Sequence, residues 1–240
     1  MLPEYYCEST IVDRDTGRFN GFIEHASGMP SMEYWERAGE IKEIRKGQII
    51  YRYDEVPDSC SMIRKGSVIG YEEMPNGNEL IYFLMGKGSF VMEANMLLKK
   101  PAFVNIRAEV PTEVIQISKQ VLLDTLDRNP EMWQFFYASA AGKFLDAMNE
   151  LRAQRIHSAG WRLCNVLLEF GNKYGVAYDN KVIINRRLSL QMFAGFMGVN
   201  RATAVRGMRE LREMGLIEII NGLYCIRSLE QLEIHRDMLE

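Results

Sequence analysis

The sequence predicts an α+β chain in three parts: a closed or rolled β domain, one long helix, and a helix-turn-helix closed by a hairpin. Three observations carry this reading. Between about Gly39 and Ser118, turn signals cut the chain into strand-length runs rich in β-branched and aromatic residues. After Asn129-Pro130 the apolar period becomes helical and holds to about Ile156. Past Ser189, two short helical runs flank a glycine turn and lead into a strand, Asn-Gly, strand signature.

With 240 residues and 47% hydrophobic content, the chain can bury one large or two ordinary cores. The N-terminal stretch MLPEYYCESTIVDRD has no apolar run of signal-peptide length, and nowhere do about 18 apolar residues follow one another. A cytoplasmic protein without membrane association is expected. Cys7, Cys60, Cys164 and Cys225 form no CxxC pair and read as ordinary reduced thiols. His25, His157 and His235 stand at no metal-ligand spacing, so neither a metal nor another cofactor is called for.

Charge is more informative by position than in total. Residues 1–130 hold 20 acids against 15 Lys and Arg, a net of −5. From Asn185 to Met214, Arg186, Arg187, Arg201, Arg206, Arg209 and Arg212 face only Glu210 and Glu213, a net of +4. A basic working surface on an acidic body follows, as nucleic-acid binding needs.

Residues 31–38 predict a short helix stopped by Gly39. The β runs IIYRY, GSVIGY, ELIYFLM and TEVIQIS are separated by Lys46-Gly47, Lys65-Gly66, Pro75-Asn76-Gly77-Asn78, Gly86-Lys87-Gly88 and Lys100-Pro101. Asn129 as cap and Pro130 at the first position then open the long helix. Tyr137, Ala141, Phe144, Met148, Leu151 and Arg155 recur at alternating fours and threes. That spacing fits a core stripe against the chain's own β domain or a coiled-coil seam, and its narrowness favours a dimer seam. Ser158 caps a further helix through AGWRLCNVLLEFGNKYG, and VIIN and the IEII/LYCI pair read as small strands.

Between those strands lie helices from Ser189 to about Met197 and from about Arg201 to Met214, the second stopped by Gly215. Ala194 is small where they cross, Gly198 and Val199 turn, and Asn200 caps the second helix. A helix-turn-helix sets the first residues of that helix against base edges, here Arg201, Ala202, Val205 and Arg206. Arg209 and Arg212 lie further along, where phosphates run, with Ser189 and Thr203 hydroxyls as neutral phosphate donors.

The order β domain, long helix, winged helix-turn-helix resembles the CRP/FNR superfamily of transcription regulators from about residue 31 to 227. The strongest stretch is LSLQMFAGFMGVNRATAVRGMRELREMGLI. Ser189 and Gln191 match the hydroxyl residue and glutamine that open the family's first helix, Gly198 its turn, and Arg201 and Arg206 its recognition arginines. The acidic base-reader between them is Ala202 here, which implies a different half-site. The resemblance implies a β-roll of double-stranded β-helix (jelly-roll) type over residues 1–128 with its N-terminal segment, a dimerisation helix over 129–157, and a DNA-binding domain over 158–240.

GSFVMEANMLLKKPAFVNIRAEVPTEVIQIS is similar to the family's phosphate-binding cassette, with Glu93 at the glutamate that holds a ribose hydroxyl. The Arg-Ser pair that cradles the cyclic phosphate has no counterpart in Pro101-Ala102-Phe103-Val104. An anion entering that apolar wall unpaired costs several kcal/mol, which argues against cyclic AMP. The cysteine cluster of the iron-sulfur branch and the axial ligands of the haem branch are missing too. What remains is a small apolar or aromatic effector between roll and helix, lined by Phe90, Met92, Glu93 and Phe103 on one side and Tyr137, Lys143 and Phe144 on the other. Lys143 points about 100° off the seam, where an ammonium can meet a phenolate or carboxylate, as in family members that sense chlorinated phenols.

The expected function is a homodimeric regulator of double-stranded DNA transcription, binding a palindromic operator. By resemblance it is an activator that works with RNA polymerase. The alternative is a cyclic-nucleotide-type sensor whose C-terminal helices dock a protein partner. An enzyme finds no support, because no nucleophile, base and orienter stand at usable spacing and there is no phosphate loop.

Overall fold

The computed structural model describes residues 32–75, 77 and 79–239. Cys7, His25, Ser31, Asn76 and Asn78, which entered the sequence reading, lie outside the described residues. The chain divides into two units, one closing at Asn149 and the other holding Glu150–Glu240.

In the first unit α1 (Met32–Ala38) leads into β1 (Glu40–Ile44), β2 (Ile49–Tyr51), β3 (Ser59–Lys65), β4 (Ser67–Glu73), β5 (Glu79–Gly86) and β6 (Phe90–Val91). A short α2 (Glu93–Leu98) precedes β7 (Asn105–Ala108) and β8 (Thr112–Ser118). The strands pair antiparallel in two four-stranded sheets, β1-β8-β3-β6 and β2-β7-β4-β5. Tyr51, Ile63, Val68, Val91, Val104 and Ile106 come from both sheets and fill the space between them. This is the expected roll.

The outer face of the first sheet needs its own cover, because Cys60, Met62, Ile115 and Ile117 alternate onto that side. Trp35 of α1, Leu122 and Leu126 of α3 (Lys119–Arg128), and Met132 and Phe136 of α4 (Pro130–Ile156) supply it. Here α4 starts and stops where the sequence places it. Its expected side-chain cap is a different arrangement: the Asn129 amide donates to Tyr34 Oη and Thr125 O, both at 2.8 Å, and it is the Asn129 carbonyl that accepts from Met132 N at 2.9 Å.

The second unit carries α5 (Ala159–Tyr174), capped by Ser158 Oγ accepting from Trp161 N at 3.1 Å. It is followed by β9 (Gly175–Tyr178), β10 (Lys181–Ile184), α6 (Leu190–Met197), α7 (Arg201–Glu213), β11 (Ile217–Ile220), β12 (Leu223–Ile226) and α8 (Leu229–Asp237). The sheet order is β11-β12-β10-β9. Its core sets Phe170 tilted against Phe196 at 5.5 Å and Phe193 edge-on to Tyr224 at 5.0 Å. Leu232 of α8 is fully buried. No described helix is long and apolar enough to cross a membrane.

Candidate nucleic-acid interface and effector site

Three local rules build the helix-turn-helix. Ser189 Oγ accepts from Met192 N at 3.1 Å, which caps α6 and leaves its O–H proton free of that bond. Gly198 closes α6 at φ +62°, donating to the Ala194 and Gly195 carbonyls, and Val199 N donates to Ala194 O at 2.9 Å. A left-handed residue is needed there, so glycine costs least. Asn200 Oδ1 then starts α7, accepting from Thr203 N at 2.9 Å and Thr203 Oγ1 at 3.1 Å. In the unbound protein the Thr203 hydroxyl thus donates inside the cap. Gln191 lies half-buried in the first turn of α6.

Helix α7 buries Ala204, Met208 and Leu211 against its own unit. Gly207 allows the approach, since a Cβ there would stand 2.8 Å from Leu163 Cδ2. The solvent side holds Ala202, Val205, Arg206 and Arg209 opposite that row, with Arg201 and Arg212 at its flank, all exposed. Arg209 reaches Glu213 at 3.7 Å, with both side chains 69% exposed, a pair weak enough to exchange for a phosphate. Of the other basic-cluster residues, Arg186 lies 4.8 Å over the Tyr174 ring, whose phenol burial pushes up, and Arg187 is exposed just ahead of the α6 cap. The hairpin of β11 and β12 turns at Asn221 and Gly222, with φ 51° and 79°, as a primed turn requires. Beside it Glu218 takes Lys181 Nζ at 2.8 Å and Arg227 at 3.4 Å, and the lysine holds its carboxyl below the usual range.

The proposed effector residues separate into two sets. Phe90, Met92 and Glu93 are buried together at the β6 to α2 corner, and Lys143 of α4 joins them. Its Nζ donates to Phe90 O at 2.7 Å and to Glu93 Oε1. Phe90 is not a cavity wall: its ring meets Trp35 edge-on at 5.1 Å and Phe136 at 5.7 Å inside the core. Tyr137 and Phe144 do not converge on Lys143, being 74% and 64% exposed. Helical geometry explains it, because at about 100° per residue they project roughly 120° and 100° away from Lys143. Phe103 is 57% exposed and packs instead on Tyr82, edge-on at 6.3 Å. The sequence reading missed the Glu93–Lys143 ion pair, which joins residues fifty apart and leaves no local signal.

The described thiols, Cys60, Cys164 and Cys225, are all buried. Burial pushes Cys60 and Cys164 up to about 12, with Glu93 adding to the shift at Cys60, and burial raises Cys225 as well.

A capped recognition helix beside a hairpin wing, in a chain that also carries a nucleotide-type roll, defines the class: a winged-helix DNA-binding regulator. Residues 161–234 match the Crp-like helix-turn-helix domain and residues 41–129 the cyclic nucleotide-binding domain. The chain belongs to the CRP/FNR superfamily of transcription regulators. It is 24% identical over 213 residues to a global nitrogen regulator of Nostoc sp., covering 87% of this chain and 92% of that one. The anaerobic regulatory protein of Bacillus subtilis is 23% identical over 189 residues, 78% of this chain and 79% of that protein. A solved CooA mutant from Carboxydothermus hydrogenoformans shares the fold with a TM-score of 0.71 at 14% identity, over 90% of this chain and 96% of the other.

Proposed function

We propose that this regulator works as a cytoplasmic homodimer on a two-fold symmetric operator, controlled by a small apolar or aromatic effector other than cyclic AMP. The outward face of α7 carries the reading: Arg201, Ala202, Val205 and Arg206 stand exposed on the first two turns of a helix whose cap and turn fix its presentation. The arginines divide between reading and holding. Arg201 and Arg206 suit guanine edges, each worth about 1–3 kcal/mol of discrimination, and Arg209 and Arg212 suit the phosphates beyond.

Tyr137, Phe144, Met148 and Leu151 of α4 are 74%, 64%, 47% and 40% exposed, an apolar stripe at seam spacing that one chain alone leaves in water. A second copy covers it by symmetry. Against cyclic AMP stand Ala102 and Val104, 2% and 0% exposed, where an anion would need a cation or hydroxyl, and Glu93, already held by Lys143. The Lys143 ammonium has three protons, two of them placed on Phe90 O and Glu93, which leaves one for an effector's acid or phenolate. Activation through RNA polymerase rests on family membership alone.

Duplex binding measured across salt concentrations tests the DNA reading, because phosphate contacts release counterions and a protein-docking module has none to release. A steep negative slope is expected, and a flat one overturns it. Calorimetry with cyclic AMP should show no heat at physiological concentrations, whereas a micromolar dissociation constant would contradict the effector assignment.

A further inference from the structure

Helix α7 presents an apolar patch inside its basic face. Val205 is 39% exposed and Ala202 is exposed, in a helix whose other apolar side chains Ala204, Met208 and Leu211 turn inward. At about 100° per residue, Ala202, Val205, Arg206 and Arg209 share roughly 100° of the circumference, opposite the buried row. The patch therefore lies between Arg201 and Arg206, in the two turns that meet base edges.

Its chemistry selects one feature of the major groove. Without a carboxylate, residue 202 cannot accept from a cytosine amino group, and a Val or Ala methyl has no hydrogen bond to offer any base. The thymine C5-methyl is the one base-edge group that an apolar side chain recognises. We infer that Ala202 and Val205 are specificity residues reading thymine methyl groups, so that each half-site combines guanine, read by arginine, with at least one adjacent thymine read by its methyl. The inference rests on the DNA-binding reading above and deepens it.

The test uses the full-length dimer. A duplex is first obtained by binding-site selection, and each thymine is then replaced singly by deoxyuridine, which removes the methyl group and no hydrogen bond. At the thymine facing Val205 the wild type should bind about fourfold more weakly, equivalent to ~0.8 kcal/mol for one buried methyl. The variant Val205→Ser should bind the parent duplex about fourfold more weakly and respond little to deoxyuridine there, while an unfolding midpoint equal to the wild type certifies the fold. A selected duplex bound tightly but indifferent to deoxyuridine at every thymine would overturn the inference and leave the DNA-binding reading standing. So would selected half-sites without thymine beside the guanine. If no sequence is enriched at all, it is the DNA-reading assignment that fails, and the inference with it.

Discussion

Replacing Lys143 by Met removes the ammonium and keeps most of the side-chain volume. Glu93, whose side chain is 7% exposed, is left as a buried carboxylate, and the Phe90 carbonyl loses the donor at 2.7 Å. Removing one partner of a buried ion pair costs about 3–5 kcal/mol, because the remaining charge has neither water nor counter-charge. At roughly 4 °C per kcal/mol for a domain of this size, the roll should melt about 12–20 °C lower. Calorimetry with the double variant Lys143→Met, Glu93→Leu as control separates charge from packing. With both charges gone the penalty should largely vanish, since apolar replacement of a buried pair is commonly neutral or stabilising. A loss under about 1 kcal/mol in the single variant, the value of an exposed pair, would refute the burial argument. A double variant as damaged as the single one would refute the electrostatic cause.

Changing Phe144 and Met148 together to Asp should yield a monomer in sedimentation, because paired helices would bury unpaired charge; an intact dimer would remove α4 from the interface. Asn200→Ala should cost about 0.5–2 kcal/mol in the C-terminal unit and weaken operator binding, since Asn200 Oδ1 holds both Thr203 N and Thr203 Oγ1; denaturation and duplex titration check the two effects. Replacing Arg209 or Arg212 should weaken all duplexes alike and lower the salt slope by about one, whatever the sequence of the duplex. In a Cys7→Ser background the remaining thiols should react slowly with a disulfide reagent at pH 8 until the protein unfolds. Burial raises Cys60 and Cys164 to about 12, raises Cys225 as well, and keeps all three from the reagent, so fast labelling would contradict their burial.

The recognition unit was legible in the sequence because its determinants are local. Gly198, Asn200 and Asn221-Gly222 each act within five residues, and each does in the structure what its spacing implies. The roll was legible in kind but not in every strand. The run Ser59–Ile63 shows no alternation because both its faces are buried, with Cys60 and Met62 turned to one core and Ile63 to the other. Strand β9 went unseen because Asp179 and Asn180, at φ 45° and 60°, form its turn without glycine. The short α2, starting from Met92 at φ 64°, has no side-chain cap to announce it. For the effector residues the sequence could identify candidates, yet which of them converge depends on helical phase and on the long-range pair of Glu93 and Lys143.

Selection of binding sites from a random duplex library, run in parallel on the wild type and Arg206→Ala, tests the central claim most directly. The wild-type dimer should enrich a palindrome whose half-sites lie one helical turn apart, about 34 Å. Arg206→Ala should return the same spacing with preference relaxed at one base pair per half-site, at a cost of about 1–3 kcal/mol on the parent operator. Failure of the wild type to enrich any sequence, or an Arg206→Ala palindrome undiminished at every position, would contradict the assignment of α7 as the helix that reads DNA.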